Sequence, residues 1–221
     1  MELLYTAHVP PGEGPFPTIL ALHGWGASAH DLLGLAPLLH RGEALVLCPQ
    51  GPVPVPLGPG IDGYGWFPLD GGRDPDPDEV AKGLAALEAF LDAAVAAFPV
   101  DPRKLVLLGF SQGGVLAYQL ALENPARFAG LIALSSWLPA PLAESIGRKP
   151  EHEALPTLVV HGARDPMIPV ERGQESRDAL LGLGVPTTYR EYPMGHEIDP
   201  DALRALVEWL EDKVFSPVLR V

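Results

Sequence analysis

Cysteine, asparagine and methionine are all scarce in this sequence. Cys48 is the only cysteine among 221 residues, which excludes an intrachain disulfide, a CxxC pair and a cysteine-based zinc site. Asn124 is the only asparagine and there are three methionines, whereas 26 residues are proline. Few thermolabile residues and stiff loops are typical of a thermophilic protein, and a GC-rich genome produces the same bias.

Basic residues and long hydrophobic runs are also few. The sequence has 28 acidic and 15 basic residues, giving a formal net charge of −13. This charge argues against binding to nucleic acid or to an anionic membrane surface. The sequence contains no run of 18 apolar residues, so it predicts no membrane span. Residues 1–9 lack the basic and apolar regions of a signal peptide. We therefore expect a cytoplasmic protein.

Apolar residues make up 47% of the chain and nothing in it is typical of a linker, so residues 1–221 are predicted to form a single domain. Short aliphatic runs predict buried strands, and longer amphipathic runs predict helices between them. This alternation predicts an α/β fold with a mostly parallel central sheet flanked by helices. The predicted strands are 18–22, 44–47, 105–108, 131–134, 157–160 and the strand-like stretch 187–192; the predicted helices are 28–39, 78–98, 112–123, 171–183 and 200–214.

Two stretches interrupt this rhythm, at 49–76 and at 137–155. The first is rich in proline and glycine and contains Tyr64, Trp66 and Phe67. A loop of this length in a compact domain is usually functional or disordered, and the aromatic residues favour an ordered loop that lines a site.

The chemistry-bearing motif is Gly-Phe-Ser-Gln-Gly at 109–113, which fits G-x-S-x-G. It lies between a predicted strand and a predicted helix, the context that a nucleophile elbow requires. The sharp turn needs small residues two positions before and after Ser111, and Gly109 and Gly113 supply them. The hydroxyl would then lie at a helix N-terminus, where free N–H groups favour developing negative charge. The alternative is a glycine-rich turn with an incidental serine.

A serine needs a base, and in enzymes built on this elbow the acid and then the base follow it along the chain. His196 is the only histidine after His161, and it follows a strand-like stretch. Asp165 is the only carboxylate between Ser111 and His196 that comes just after a predicted strand. Asp165 would hold the imidazole tautomer. The alternatives are a turn aspartate before Pro166 and a surface histidine.

An oxyanion hole is predicted from two backbone N–H groups. One is that of Gln112, directly after the serine, and the other is that of Trp25, in the glycine-containing loop after the strand at 18–22. The alternative for the second is a simple strand-exit turn. His23 and His161, each in a strand-exit His-Gly pair, are interpreted as structural residues near the site.

These residues together resemble the phospholipase/carboxylesterase group of α/β hydrolases, which includes acyl-protein thioesterases. The resemblance covers most of the chain. It implies a near-minimal α/β-hydrolase fold without a large cap, a serine acyl-enzyme, and no cofactor or metal. It assigns Ser111 as nucleophile, Asp165 as acid and His196 as base. The motifs that carry it are LHGWGAS (22–28), GYGWFP (63–68), GFSQGG (109–114), SSWLP (135–139), HGARDPMIP (161–169) and GHEI (195–198).

The function predicted from these residues is hydrolysis of small carboxylic esters with short to medium acyl chains. Trp66, Phe67, Trp137 and Leu138 are candidate walls of an apolar acyl pocket, with ordinary packing as the alternative. Other candidates are a (lyso)phospholipase or acyl-protein thioesterase, an acyltransferase or perhydrolase, and a dienelactone-hydrolase-like enzyme, whose relatives typically carry cysteine as nucleophile. A non-catalytic binding protein on the same scaffold is the alternative of another class. The sequence leaves the oligomeric state open.

Overall fold

A computed structural model describes residues 3–69 and 75–215. It contains a seven-stranded sheet in the order β1-β3-β2-β6-β7-β8-β9, in which only the β1–β3 pair is antiparallel, and a separate hairpin of β4 and β5. The strands are β1 (Tyr5–His8), β2 (Phe16–Leu22), β3 (Leu45–Pro49), β4 (Val53–Gly58), β5 (Ile61–Gly65), β6 (Val100–Phe110), β7 (Gly130–Leu134), β8 (Thr157–Gly162) and β9 (Thr187–Tyr192).

In the described part of the chain, four α-helices and several short turns of helix lie between strands, and a fifth α-helix follows the last strand. Two of these helices begin with an aspartate that accepts a backbone N–H, followed by a proline whose fixed φ suits the first helical position. Among the described residues, no helix has the length and hydropathy needed to cross a membrane. The helices are α1 (Pro77–Ala97), α2 (Gln112–Glu123), α3 (Ala140–Ile146), α4 (Val170–Gly182) and α5 (Pro200–Leu210); a π-helical turn at Glu211–Phe215 and 3-10 turns at Leu33–Leu35, Leu39–Gly42, Pro125–Arg127 and Pro150–Ala154 complete the set.

The hydrophobic core lies on both faces of the sheet, because side chains alternate between faces along each strand. In β6, Leu105 and Leu107 face one cluster while Val106 and Leu108 face the other. The first cluster is closed by α1 and α2, and the second by α5 and the 3-10 turns that precede β3. This arrangement confirms the predicted α/β-hydrolase fold, with a mostly parallel sheet flanked by helices.

Four sequence-based element assignments differ from the structure. The stretch 137–155, predicted to be irregular, contains α3 and the 3-10 turn at Pro150–Ala154. The stretch 28–39 forms turns with a 3-10 helix at Leu33–Leu35 rather than an α-helix. Pro37 could not continue an α-helix, because it lacks an N–H and its ring clashes with the carbonyl four residues earlier. The stretch 49–76, predicted to be a loop, contains β4 and β5. The helix predicted at 200–214 is α-helical only to Leu210 and continues as the π-helical turn.

Candidate active site

Ser111 occupies the one-residue turn between β6 and α2. Its backbone has φ 53° and ψ −121°, a left-handed conformation that costs a non-glycine residue about 1–3 kcal/mol and persists only where neighbours hold it. The Ser111 N–H donates to the carbonyl of Leu134 at the end of β7, at 2.9 Å. Although Ser111 is the N-cap of α2, its hydroxyl makes no capping bond and so remains available for other partners.

Small residues are needed on either side of this turn, as the sequence predicted. A Cβ on Gly113 would collide with the carbonyl oxygens of Leu22 and His23, at the end of β2. A Cβ on Gly109 would collide with the backbone of Gly113. Only glycine therefore lets α2 start this close to the strand ends.

His196 bridges Ser111 and Asp165. Its Nε2 lies 3.0 Å from Ser111 Oγ and its Nδ1 lies 2.7 Å from Asp165 Oδ2. Since a carboxylate only accepts, Nδ1 carries the proton and Nε2 presents its lone pair to the serine hydroxyl. The His196 ring also packs against the ring of Phe110, with centroids 4.9 Å apart. This is the arrangement in which a histidine can remove a proton from serine.

The Asp165 carboxylate is fixed by its own loop. Its side chain is fully buried, and Oδ1 accepts the N–H groups of Met167 and Ile168, each at 2.9 Å. Oδ2 is therefore left to His196.

The loops after β8 and β9 are held together so that the aspartate and the histidine meet. Ala163 N–H donates to the Tyr192 carbonyl at 2.7 Å, and Arg164 N–H donates to the Met194 carbonyl at 3.1 Å. A Cβ on Gly162 would collide with the carbonyls of residues 194 and 195. The two loops follow neighbouring parallel strands, so both lie at the carboxyl edge of the sheet, where ligands bind in this class of fold.

The loop after β2 lies against the serine from the other side. A Cβ on Gly24 would lie 3.2 Å from the Cβ of Ser111. Within residues 3–69 and 75–215, no acceptor is bonded to the Trp25 N–H. Gln112 is the first residue of α2, so its N–H has no carbonyl partner within the helix. Gly24 thus lies against Ser111, and the two N–H groups predicted to form an oxyanion hole, those of Trp25 and Gln112, have unused hydrogen-bonding capacity.

The four aromatic and aliphatic residues predicted to wall an acyl pocket are mostly buried in the core. Trp66 and Phe67 are 1% and 0% exposed, and Leu138 is buried as well. Trp137 is half-buried. Trp66 and Phe67 offer a substrate almost no surface, because their side chains belong to the core cluster closed by α1 and α2.

Two exposed apolar side chains near the site were not identified from the sequence. Leu57, on β4, is 56% exposed and lies beside Gly26 of the loop after β2. Met167 is 68% exposed and follows Asp165 by two residues. Neither belongs to a periodic pattern; the only signal in the sequence was the position of Met167 beside the predicted acid.

His161 and His23 are structural residues near the site, as expected. His161 Nε2 donates to the Ile168 carbonyl at 2.9 Å and lies 3.8 Å from Asp165 Oδ2, so it supports the loop that holds the carboxylate. The His23 ring is buried and bonds to the backbone on both sides. In the described part of the chain, no group of three or more His, Cys, Asp or Glu side chains could hold a metal ion.

Comparison with known proteins gives the same grouping as the geometry. The sequence profile of the phospholipase/carboxylesterase family matches residues 6–214. The chain is 30% identical to acyl-protein thioesterase 1 of Mycosarcoma maydis over 234 residues, 96% of this chain and 98% of that protein. It is 29% identical to a probable SOBER1-like carboxylesterase of Arabidopsis thaliana, over 90% of this chain and 79% of that protein.

Solved structures extend the likeness to three dimensions. The crystal structure of esterase PE8 superposes with a TM-score of 0.83 at 27% identity, covering 97% of this chain and all of that one. The chain therefore belongs to the phospholipase/carboxylesterase family of α/β hydrolases and is an ester hydrolase.

Proposed function

We propose that the protein is a serine carboxylesterase that acts through Ser111, Asp165 and His196 and an acyl-enzyme. The observation that carries this proposal is the His196 bridge, with Nε2 3.0 Å from Ser111 Oγ and Nδ1 2.7 Å from Asp165 Oδ2. A nucleophile, a base within hydrogen-bond reach and a third group orienting the base are the parts that nucleophilic catalysis needs.

In the acylation step, Ser111 Oγ attacks the ester carbonyl while His196 Nε2 takes the hydroxyl proton. The resulting oxyanion accepts hydrogen bonds from the N–H groups of Trp25 and Gln112. The Asp165 carboxylate stabilises the imidazolium without itself taking the proton. His196 then gives its proton to the leaving alcohol as the C–O bond breaks, which leaves an acyl ester on Ser111.

In the deacylation step, His196 removes a proton from water, whose oxygen attacks the acyl carbonyl. The second tetrahedral intermediate uses the same two N–H donors. Its collapse breaks the bond to Ser111 Oγ, which takes back the proton from His196, and the carboxylic acid leaves. Every proton and electron pair is handled by these residues and the two substrates, so this scheme requires no cofactor.

We propose short to medium acyl esters as substrates. Trp66 and Phe67 are enclosed in the core, so they are not available to contact the acyl chain. The acyl chain would instead contact the exposed apolar side chains of Leu57 and Met167. Contacts of this type discriminate by only about 1–3 kcal/mol per methylene group, so the preference should be graded.

The test is a series of p-nitrophenyl esters from acetate to palmitate, assayed with the parent, Ser111→Ala and His196→Ala. Ser145→Ala and His30→Ala, at exposed positions, are matched controls. Turnover lost by several orders of magnitude in the first two variants and retained in both controls would support the proposal. Turnover that survives Ser111→Ala would refute it, and a parent that only binds the esters would favour the non-catalytic alternative.

A thioesterase is the second candidate, because relatives such as that of M. maydis are named acyl-protein thioesterases. Acyl-cysteine peptides and p-nitrophenyl esters of the same chain length would be compared in kcat/KM. A ratio favouring the thioester by more than tenfold would select this candidate.

The place of the acyl chain is tested with Leu57→Ala and Met167→Ala, with exposed Leu4→Ala as control. The first two variants should shift the optimal acyl-chain length to shorter chains if these side chains hold the acyl group.

A further inference from the structure

The catalytic scheme uses only the backbone of Gln112, and any residue other than proline supplies a backbone N–H. Its side chain is nevertheless buried and bonded at both ends to a distant segment. Oε1 accepts the Trp66 N–H at 2.8 Å, and Nε2 donates to the Phe67 carbonyl at 2.6 Å. The residue after the nucleophile therefore holds the segment that follows β5 against the start of α2.

Trp66 passes this restraint to the loop after β2. Its indole Nε1–H donates to the carbonyl of His23 at 2.9 Å, and its ring packs on the His23 ring with centroids 5.3 Å apart. The His23 carbonyl belongs to the peptide just before Gly24. Gln112, Trp66 and His23 thus form one buried network that ends at the loop carrying the Trp25 N–H.

The His23 ring has a defined tautomer. Its Nε2 accepts the N–H of Gly51 at 2.9 Å, so its proton lies on Nδ1, which donates to the carbonyl of Gly24 at 2.7 Å. Burial lowers the pKa of His23, against the opposing effects of the Gly24 carbonyl and of Asp31. The lowered pKa favours the neutral ring, which is the form in which Nδ1 donates and Nε2 accepts.

The Gly24 carbonyl and the Trp25 N–H belong to the same peptide unit. That unit is planar and its C=O and N–H point in opposite directions, so fixing the carbonyl fixes the direction of the N–H. The same carbonyl also accepts the Ala27 N–H, at 3.3 Å. A hydrogen bond to a carbonyl further polarises the peptide and strengthens its N–H as a donor.

We propose that His23 is a positioning residue of the oxyanion hole: its Nδ1–H holds the Gly24–Trp25 peptide so that the Trp25 N–H is directed at the oxyanion formed on Ser111. The inference rests on the proposed function. Gln112 and Trp66 hold His23 in place for this task. The residue acts through a peptide plane and touches no reacting atom.

Two substitutions separate this role from a purely structural one. In His23→Asn the amide nitrogen can occupy the place of Nδ1 and donate to the Gly24 carbonyl, but the acceptor for Gly51 is lost. In His23→Gln the amide oxygen can occupy the place of Nε2 and accept from Gly51, but the donor to Gly24 is lost. The proposal expects the glutamine variant to be the less active enzyme, whereas a role in bridging to Gly51 expects the opposite order.

The assay is hydrolysis of p-nitrophenyl butyrate by the parent, both His23 variants and the control His30→Gln. Rates are expressed per active serine, counted with a p-nitrophenyl alkylphosphonate, and a trifluoromethyl ketone serves as a tetrahedral inhibitor. We expect His23→Gln to lower kcat about 10- to 100-fold, less than complete loss of an oxyanion donor. In His23→Gln, KM should change less than threefold, and the inhibition constant of the trifluoromethyl ketone should rise in proportion to the loss in kcat/KM. The kcat of His23→Asn should stay within tenfold of that of the parent.

Equal loss in both His23 variants, or the parent kcat in His23→Gln, would overturn the proposal. If neither variant folds, Trp66→Phe tests the same network, because it removes the indole N–H and keeps a ring. It should lower kcat with little change in KM, and an unchanged kcat would overturn the proposal. A parent in which the phosphonate modifies no serine would instead refute the proposed function.

Discussion

Replacing Asp165 by asparagine should impose the wrong tautomer on His196. In the parent, one carboxylate oxygen accepts the N–H groups of Met167 and Ile168, and the other accepts His196 Nδ1–H. An amide has only one oxygen to offer, so its NH2 group must face either the two backbone donors or the histidine.

The two backbone donors decide the orientation of the amide. Turning NH2 toward Met167 and Ile168 leaves two buried N–H groups without an acceptor, at about 1–3 kcal/mol each. The two costs together are about 2–6 kcal/mol. Fewer than about one molecule in thirty therefore has the amide oxygen facing His196. The NH2 group then donates to Nδ1, which moves the imidazole proton to Nε2 and directs it at Ser111. We expect kcat to fall by about 10⁴, the loss that the same tautomer reversal causes in Ser-His-Asp enzymes.

The measurement is kcat for p-nitrophenyl butyrate, with thermal unfolding as a check of the fold. Asp101→Asn is the matched control, since Asp101 is also buried and its carboxylate accepts the backbone N–H of Arg103 at 3.0 Å. It lies at the start of β6, at the opposite end of the strand from Ser111. A folded Asp165→Asn variant within tenfold of the parent kcat would refute the reasoning, as would equal loss in the control.

Three further outcomes can be checked by simple measurements. Gly113→Ala should lower both kcat and the free energy of unfolding, the latter by about 1–3 kcal/mol in urea titrations, because its Cβ meets the carbonyls of Leu22 and His23. The pKa of His23 is lowered in the folded protein. As the pH falls, His23 therefore binds its proton at a higher pH in the unfolded chain than in the folded one. The free energy of unfolding should therefore decrease below about pH 6.5, levelling off once the pH is below the folded pKa, and His23→Asn should lose this component when urea titrations at several pH values are compared. Burial raises the pKa of the Cys48 thiol to about 12, against a weaker opposing bond from Thr6, so a disulfide reagent at pH 8 should label Cys48 only in denaturant.

The strands inside the sheet were predictable because each is a short aliphatic run covered on both faces. The edge strand β1 was missed, since Tyr5–His8 has no apolar run and is half-buried at most. The hairpin of β4 and β5 was missed because Pro54 and Pro56 argue against a central strand. Within the described residues β4 pairs with β5 alone, whereas β5 also bridges to Ala27 through Tyr64, so the prolines lie on an edge strand, where they are tolerated.

The sequence by itself determined which residues we propose as nucleophile, acid and base, and their order along the chain. The glycine-flanked serine and the residues at the ends of predicted strands follow from rules that operate over a few neighbouring positions. Burial of Trp66 and Phe67, exposure of Leu57 and the tautomers of the histidines were decided only by the tertiary structure. These features depend on contacts between segments far apart in the chain, such as the bonds from Gln112 to residues 45 and 46 positions away. Strand order and packing decide which distant segments meet, and a pattern over a few neighbouring positions cannot predict this.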